Sequence, residues 1–214
     1  MPNPNLTWLV FLLDRSGSMQ SIKSDVIGGF EAFVAQQRSG EGQCTATLAQ
    51  FDTEYEVVYH GIALEQVPPL ELCPRGATAL HDSMGKLITD TAAEIDASAD
   101  DDKPSTVIVA IMTDGMENSS HEWRAPDIKA LVEQQTNDGG WEFLYMGCDQ
   151  DAVEVARGLG VKDGQAITYA RGKSREAMLT ASENIRGYRA ARMHNPDAAM
   201  PAFTAAQRAQ VADE

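Results

Sequence analysis

The stretch Val10-Phe11-Leu12-Leu13-Asp14-Arg15-Ser16-Gly17-Ser18-Met19 decides the fold. It ends a continuous apolar run that starts at Thr7, as expected of a central strand covered on both faces. The run stops at the carboxylate of Asp14, and hydroxyls follow at Ser16 and Ser18. A loop of this kind sets three small oxygen ligands on one side of a turn, which suits a hard divalent cation. The same residues also suit a plainer role, in which Asp14 caps a turn and the serines satisfy backbone groups.

Outward from this stretch, strands and helices alternate. A helix is predicted from about Ser21 to Arg38, with Ile22, Val26, Ile27, Phe30, Phe33 and Val34 at helical spacing and Gly40 after its end. Gly28-Gly29 inside it is a local cost that a close backbone contact would explain. Cys44 to Phe51 and Tyr55 to Tyr59 read as a hairpin, with Asp52 a turn residue, so one edge strand is antiparallel. A loop with Pro68, Pro69 and Pro74 leads through Arg75-Gly76-Ala77-Thr78 into a helix whose stripe is Leu80, Met84, Leu87, Ile88, Thr91 and Ile95. Asp100-Asp101-Asp102 then reads as a solvated turn.

Val107 to Met112 is a second fully apolar strand, and it too runs into a carboxylate, in Thr113-Asp114-Gly115. Pro126-Asp127 suits the first turn of a helix reaching about Thr136. A strand follows at Trp141 to Met146, then a short helix (Ala152 to Leu159) and a short strand (Ala166 to Tyr169). The last long helix spans about Ser174 to Arg192, on a stripe of Met178, Ala181, Ile185 and Tyr188. From Asn195 on, Pro, Ala and polar residues dominate, so residues 1–192 are expected to form the domain and 193–214 a partly ordered tail.

This alternation implies an α/β fold: a Rossmann-like, doubly wound, mostly parallel six-stranded sheet with one antiparallel edge strand and helices on both faces. Ligands in such folds gather beyond the carboxyl ends of the strands. Asp14 and Asp114 occupy two such ends, and Thr78 opens a helix that can overhang the same rim.

Composition excludes several classes. Seventeen basic residues against 32 acidic ones give a net charge of −15, which argues against a nucleic-acid surface. The opening apolar run is too short and wrongly flanked for a signal peptide or membrane span. Cys44, Cys73 and Cys148 are few and widely spaced, which suits reduced thiols in a cytoplasmic protein. The hydrolase class has little to support it: there is no Gly-x-Ser-x-Gly elbow, and His60, His81, His121 and His194 stand in no recognisable catalytic motif. A phosphate-cradling Gly-rich loop with lysine is also missing.

The three rim motifs together resemble the metal-ion-dependent adhesion site of von Willebrand factor type A (VWA) domains. Asp14-Arg15-Ser16-Gly17-Ser18-Met19 matches the first motif in a form frequent in bacterial members. Thr78 in Gly76-Ala77-Thr78-Ala79-Leu80 matches the family's threonine, with Ala77 where the family has a second glycine, and Asp114 matches its later aspartate. The resemblance covers roughly residues 6 to 192. The segments Thr113 to Ser120 and Gly140 to Gly147, with Asp149-Gln150-Asp151, are similar to an intracellular bacterial subgroup.

The resemblance implies a Mg2+ site, with Mn2+ or Ca2+ as possible substitutes, built from Asp14, Ser16, Ser18, Thr78 and Asp114. Ser16 and Ser18 would ligate directly, and Asp14, Thr78 and Asp114 directly or through water. It further implies a metal-dependent protein-interaction module, not an enzyme. Its partner would offer an Asp or Glu carboxylate, an AAA-type ATPase being one partner class. A shift of the last helix with the metal's state is a further implication. A metal-dependent hydrolase and a structural subunit of a larger assembly are the alternatives. Around the site, Glu117 and Asn118 are candidates for orienting metal waters. Asp149 and Asp151 suit either an acidic rim or plain loop carboxylates, His81 a helix surface, and Met19 and Met116 packing.

Overall fold

The computed structural model of the protein describes residues 2–148 and 150–212. Its central strand, β1 (Asn3–Asp14), pairs in parallel on both sides, with β2 (Gln43–Phe51) and with β4 (Pro104–Thr113). Buried on both faces, it can be apolar throughout, which is why the run up to Leu13 shows no alternation. Its side chains still divide by parity. Leu9, Phe11 and Leu13 enter one core, and Trp8, Val10 and Leu12 enter the other.

The first core is closed by α1 (Lys23–Arg38) and α5 (Ser174–His194), through Phe30, Phe33, Met178, Ile185 and Tyr188. The second is closed by α2 (Leu80–Ala97), α3 (Ala125–Asn137) and α4 (Ala152–Gly158), through Met84, Ile88, Ile128, Val132 and Ala156. Each large aliphatic or aromatic side chain buried this way stabilises by about 1.5–3 kcal/mol.

With β3 (Tyr55–Ala63), β5 (Glu142–Cys148) and β6 (Ala166–Tyr169), the six-stranded sheet has the order β3-β2-β1-β4-β5-β6. Only the β2–β3 pair is antiparallel, and β3 lies at an edge. The chain steps from β1 to β2 on one side and later to β4 on the other. The crevice over the carboxyl ends of β1 and β4 is therefore the switch point of the sheet, where ligands of such folds collect.

The helix interior holds one useful exception to good helix sequence. A Cβ at Gly29 would lie 2.9 Å from Arg175 Cα and 3.1 Å from Met178 Sδ, so glycine is what lets α1 and α5 pack this closely. Gly28 has nothing within 4 Å and carries no such contact.

Residues beyond 192 are more integrated than their composition suggests. Helix α5 runs to His194, and α6 (Ala205–Val211) starts with a capping box in which Thr204 and Gln207 satisfy each other's backbone N–H. Met200, Phe203 and Val211 are buried in the first core, and Ala170 N–H donates to Val211 O at 2.8 Å. A few apolar side chains at irregular spacing hold this segment down, a pattern that periodicity does not register. Among the described residues no helix is long and apolar enough to cross a membrane, and none of the three cysteines is in a disulfide.

Candidate metal centre

Asp14 ends β1 and is fully buried. Its Oδ1 accepts the Ser16 backbone N–H at 2.6 Å, and its Oδ2 accepts the Thr113 hydroxyl at 2.6 Å. Ser16 and Ser18 follow as the chain enters a short 3-10 turn, Gly17–Ser21. Their Oγ atoms lie 3.0 Å apart, and Ser18 Oγ donates to Asp114 Oδ1 at 2.6 Å. Met19, next in the turn, is buried in the first core and pins the loop from below.

Gly115 is the point around which the loops meet. A Cβ there would lie 3.1 Å from Thr78 Oγ1, 3.4 Å from Ser18 Oγ and 3.9 Å from Asp14 Oδ2. Oxygens from residues 14, 18 and 78 thus surround one small space, and Asp114 and Ser16 are hydrogen-bonded into the same group. All five residues that the sequence singles out are brought together. Two carboxylates and three hydroxyls form a hard, all-oxygen donor set that fits Mg2+ or Mn2+. Among the described residues there is no group of three or more His, Cys, Asp or Glu side chains placed to hold a metal.

Burial pushes the Asp14 carboxyl up to about 6, against the hydrogen bonds from Thr113 and Ser16, and the nearby charge of Asp114 adds to the rise. The one arginine inside the motif, Arg15, is paired with Asp52 and Glu56.

Backbone hydrogen bonds hold the loops in register. Arg75 N–H donates to Arg15 O at 2.8 Å, and Gly17 N–H donates to Gly76 O at 3.2 Å. Gly76 has φ +67, and a Cβ on it would sit 3.1 Å from Thr53 Oγ1, so only glycine suits this turn. Thr78 is tied on both sides to Asn118: its N–H donates to Asn118 Oδ1 at 2.9 Å, and its carbonyl accepts Asn118 N–H at 3.0 Å.

Several neighbours hold positions that the sequence does not reveal. Asp52 is no ordinary turn residue. It is 1% exposed and accepts from both Arg15 and Arg75. Glu117 spends its oxygens on the N–H groups of His81, Ser119 and Ser120 and on the Ser120 hydroxyl. These hydrogen bonds hold its carboxyl below the usual range despite its partial burial, and they make it an anchor between its loop and the start of α2. Asp82 does the same in reverse, accepting the N–H groups of His121, Glu122 and Trp123. His81 Nδ1 stands 3.8 Å from Glu117 and lines a groove of about 520 Å³ with Met116, Ala125, Gln150 and Val155. Met116 is 73% exposed, so packing does not account for it. Asp151 caps α4 by accepting Glu154 N–H at 3.0 Å, and Asp149 lies outside the described residues. Thr113 is the residue that sequence reasoning passes over. Its place immediately before Asp114 is the only signal of its contact with Asp14.

The sequence matches no protein-family model and no curated protein. Solved structures do match. The ArnB paralog VWA2 from Sulfolobus acidocaldarius superposes with a TM-score of 0.58 at 14% identity, over 84% of this chain and 45% of that one. A von Willebrand factor type A protein from Catenulispora acidiphila gives 0.55 at 15% identity, over 87% and 42%. The vWF domain of the type V pili tip protein Mfa5 from Porphyromonas gingivalis gives 0.55 at 11% identity, over 84% and 94%. This chain spans less than half the length of the first two. At these identities the likeness concerns architecture, and the architecture is the von Willebrand factor A fold.

Proposed function

We propose that this chain is a metal-dependent protein-interaction module, in which Asp14, Ser16, Ser18, Thr78 and Asp114 hold a divalent cation, Mg2+ in the first place. A cation bound there would supply an electrophilic position for an Asp or Glu carboxylate of a partner protein. The observation that carries the reading is the convergence of three sequence-distant loops on the space beside Gly115. The von Willebrand factor A fold, common among interaction modules, supports it further.

The residues divide the work by charge. Asp14 and Asp114 neutralise a dication without exceeding it, and the three hydroxyls add donor atoms without charge. A site balanced in this way keeps its attraction for one more anionic oxygen. Hydroxyl and carboxylate oxygens on short loops favour the compact octahedral shell of Mg2+ over the larger shell of Ca2+. Thr113 holds one oxygen of Asp14 and the Ser16 N–H holds the other, which fixes the carboxylate plane.

In this reading the serines serve as ligands, and their hydrogen-bond partners support that role over a nucleophile's. Their hydroxyls are hydrogen-bonded to each other and to Asp114, and no histidine is among those partners in the described residues. The test is a pull-down from lysate of the native cell, comparing wild type with Asp14→Ala in Mg2+ and in EDTA. Proteins retained only by wild type in Mg2+ are the expected result. Retention unchanged by both EDTA and Asp14→Ala would sink the proposal.

A further inference from the structure

We propose that Asp52 is a positioning residue for this centre: it clamps the loop of Asp14, Ser16 and Ser18 to the loop of Thr78 while touching no ligand itself. The inference rests on the metal reading above. Asp52 follows β2, between the two loops in sequence, and is hydrogen-bonded to both. Its Oδ2 accepts Arg15 Nε–H at 2.8 Å and Arg75 Nε–H at 2.9 Å, so a single oxygen joins the two loops. Its Oδ1 accepts Glu54 N–H at 2.7 Å, which fixes the carboxylate's own orientation. Its carbonyl accepts Ala79 N–H at 2.9 Å, one residue past Thr78. Arg15 stands between the ligands Asp14 and Ser16, and Arg75 stands three residues before Thr78.

Two physical effects act in the same direction. The first is geometric. Mg2+ and Mn2+ demand near-ideal octahedral distances, so the spacing of the two loops must be held within a few tenths of an ångström. The second is electrostatic. The Arg15 side chain is almost wholly buried, next to the residues that would hold the cation, and Asp52 is its buried counter-charge. Without that carboxylate only the exposed Glu56 would offset the buried guanidinium, and its charge would repel the metal more strongly. The arginines hold Asp52 below the usual carboxylate range, so the clamp stays charged at neutral pH.

The experiment measures Mn2+ affinity by the EPR signal of free Mn2+, for wild type, Asp52→Asn, Arg75→Gln and the double variant. Melting in EDTA and circular dichroism are recorded alongside. Asp52→Asn should weaken Mn2+ binding about 10–100-fold, the usual cost of removing a group that orients metal ligands. Arg75→Gln should weaken it less, since Arg15 keeps its partner, and the double variant should bind no worse than Asp52→Asn alone. A merely structural role would lower the melting temperature in EDTA and leave the Mn2+ affinity of the folded protein unchanged. That result overturns the inference. If Asp52→Asn fails to fold, Arg75→Gln decides, because Arg75 is 57% exposed and its loss removes one arm of the clamp only; unchanged affinity there also overturns it. A wild-type protein that takes up no Mn2+ overturns the metal reading and this inference together.

Discussion

Gly115→Ala puts one methyl group into the space that defines the candidate centre. Gly115 is not among the glycines with positive φ, so alanine can adopt its backbone and the substitution acts through the methyl alone. That methyl would lie 3.1 Å from Thr78 Oγ1 and 3.4 Å from Ser18 Oγ. The first distance is a few tenths of an ångström too short and the second is ordinary contact, so Thr78 must give way. Overpacking on this scale costs about 1–3 kcal/mol, and the low end applies because the neighbour is a side-chain hydroxyl at a rim. The metal should suffer more than the fold. Magnesium tolerates little departure from its 2.0–2.1 Å shell, and the methyl occupies the space that three donor oxygens surround. We expect Mn2+ affinity to fall at least about tenfold, roughly 1.4 kcal/mol, with circular dichroism unchanged. Calorimetric titration of wild type and variant with Mn2+, and melting of both in EDTA, separate the two effects. Equal affinities with a lowered melting temperature would refute the reasoning, because the space beside Gly115 would then not be where the cation binds.

Four further outcomes are expected. Metal binding should weaken as pH falls below about 6, where Asp14 takes up a proton; titrations at several pH values should show roughly tenfold loss per unit on the acid side. The metal-free protein should behave oppositely, losing stability as pH rises from about 4 to about 6, because the folded state holds that proton more tightly than the unfolded chain; denaturant melts in EDTA check the sign. Thr113→Val removes the hydroxyl that donates to Asp14 Oδ2, a hydrogen bond to a charged group worth about 1.5–3 kcal/mol, so the Asp14 carboxyl should rise further and the pH midpoint of Mn2+ binding with it. Gly29→Val drives a side chain into Arg175 Cα and should cost about 1–3 kcal/mol in a urea melt, while Gly28→Ala, which meets nothing, should be neutral or stabilising.

Legibility varied with the range of the interaction that set each feature. Asp14 and Asp114 could be placed at a rim because each ends an apolar run, and a run buried on both faces leaves a mark at every position. Thr78 could be added because a glycine turn precedes it and a helix follows. Asp52 read as a turn residue because its neighbours in sequence are those of a turn, and its real partners are 37 and 23 residues away. Glu117 follows Asp114 closely enough in sequence to suit metal waters, but its oxygens are committed to backbone groups of its own loop and of α2, which no local pattern reveals. The C-terminal segment reads as tail because Met200, Phe203 and Val211 follow no period; what holds them is the first core, whose other members lie far away in sequence.

By itself, then, the sequence determined the alternation of strands and helices, the two-sided burial of β1 and β4, and the chemical character of the five oxygen-bearing residues. These follow from hydrophobic periodicity and residue chemistry, which act locally. Tertiary structure alone decided that those residues close on one space, that Thr113 and Asp52 hold the loops in place, and that α1 and α5 can meet at Gly29. Each of these depends on distances between segments far apart in the chain, and such distances are set only when the whole sheet and its two cores have packed.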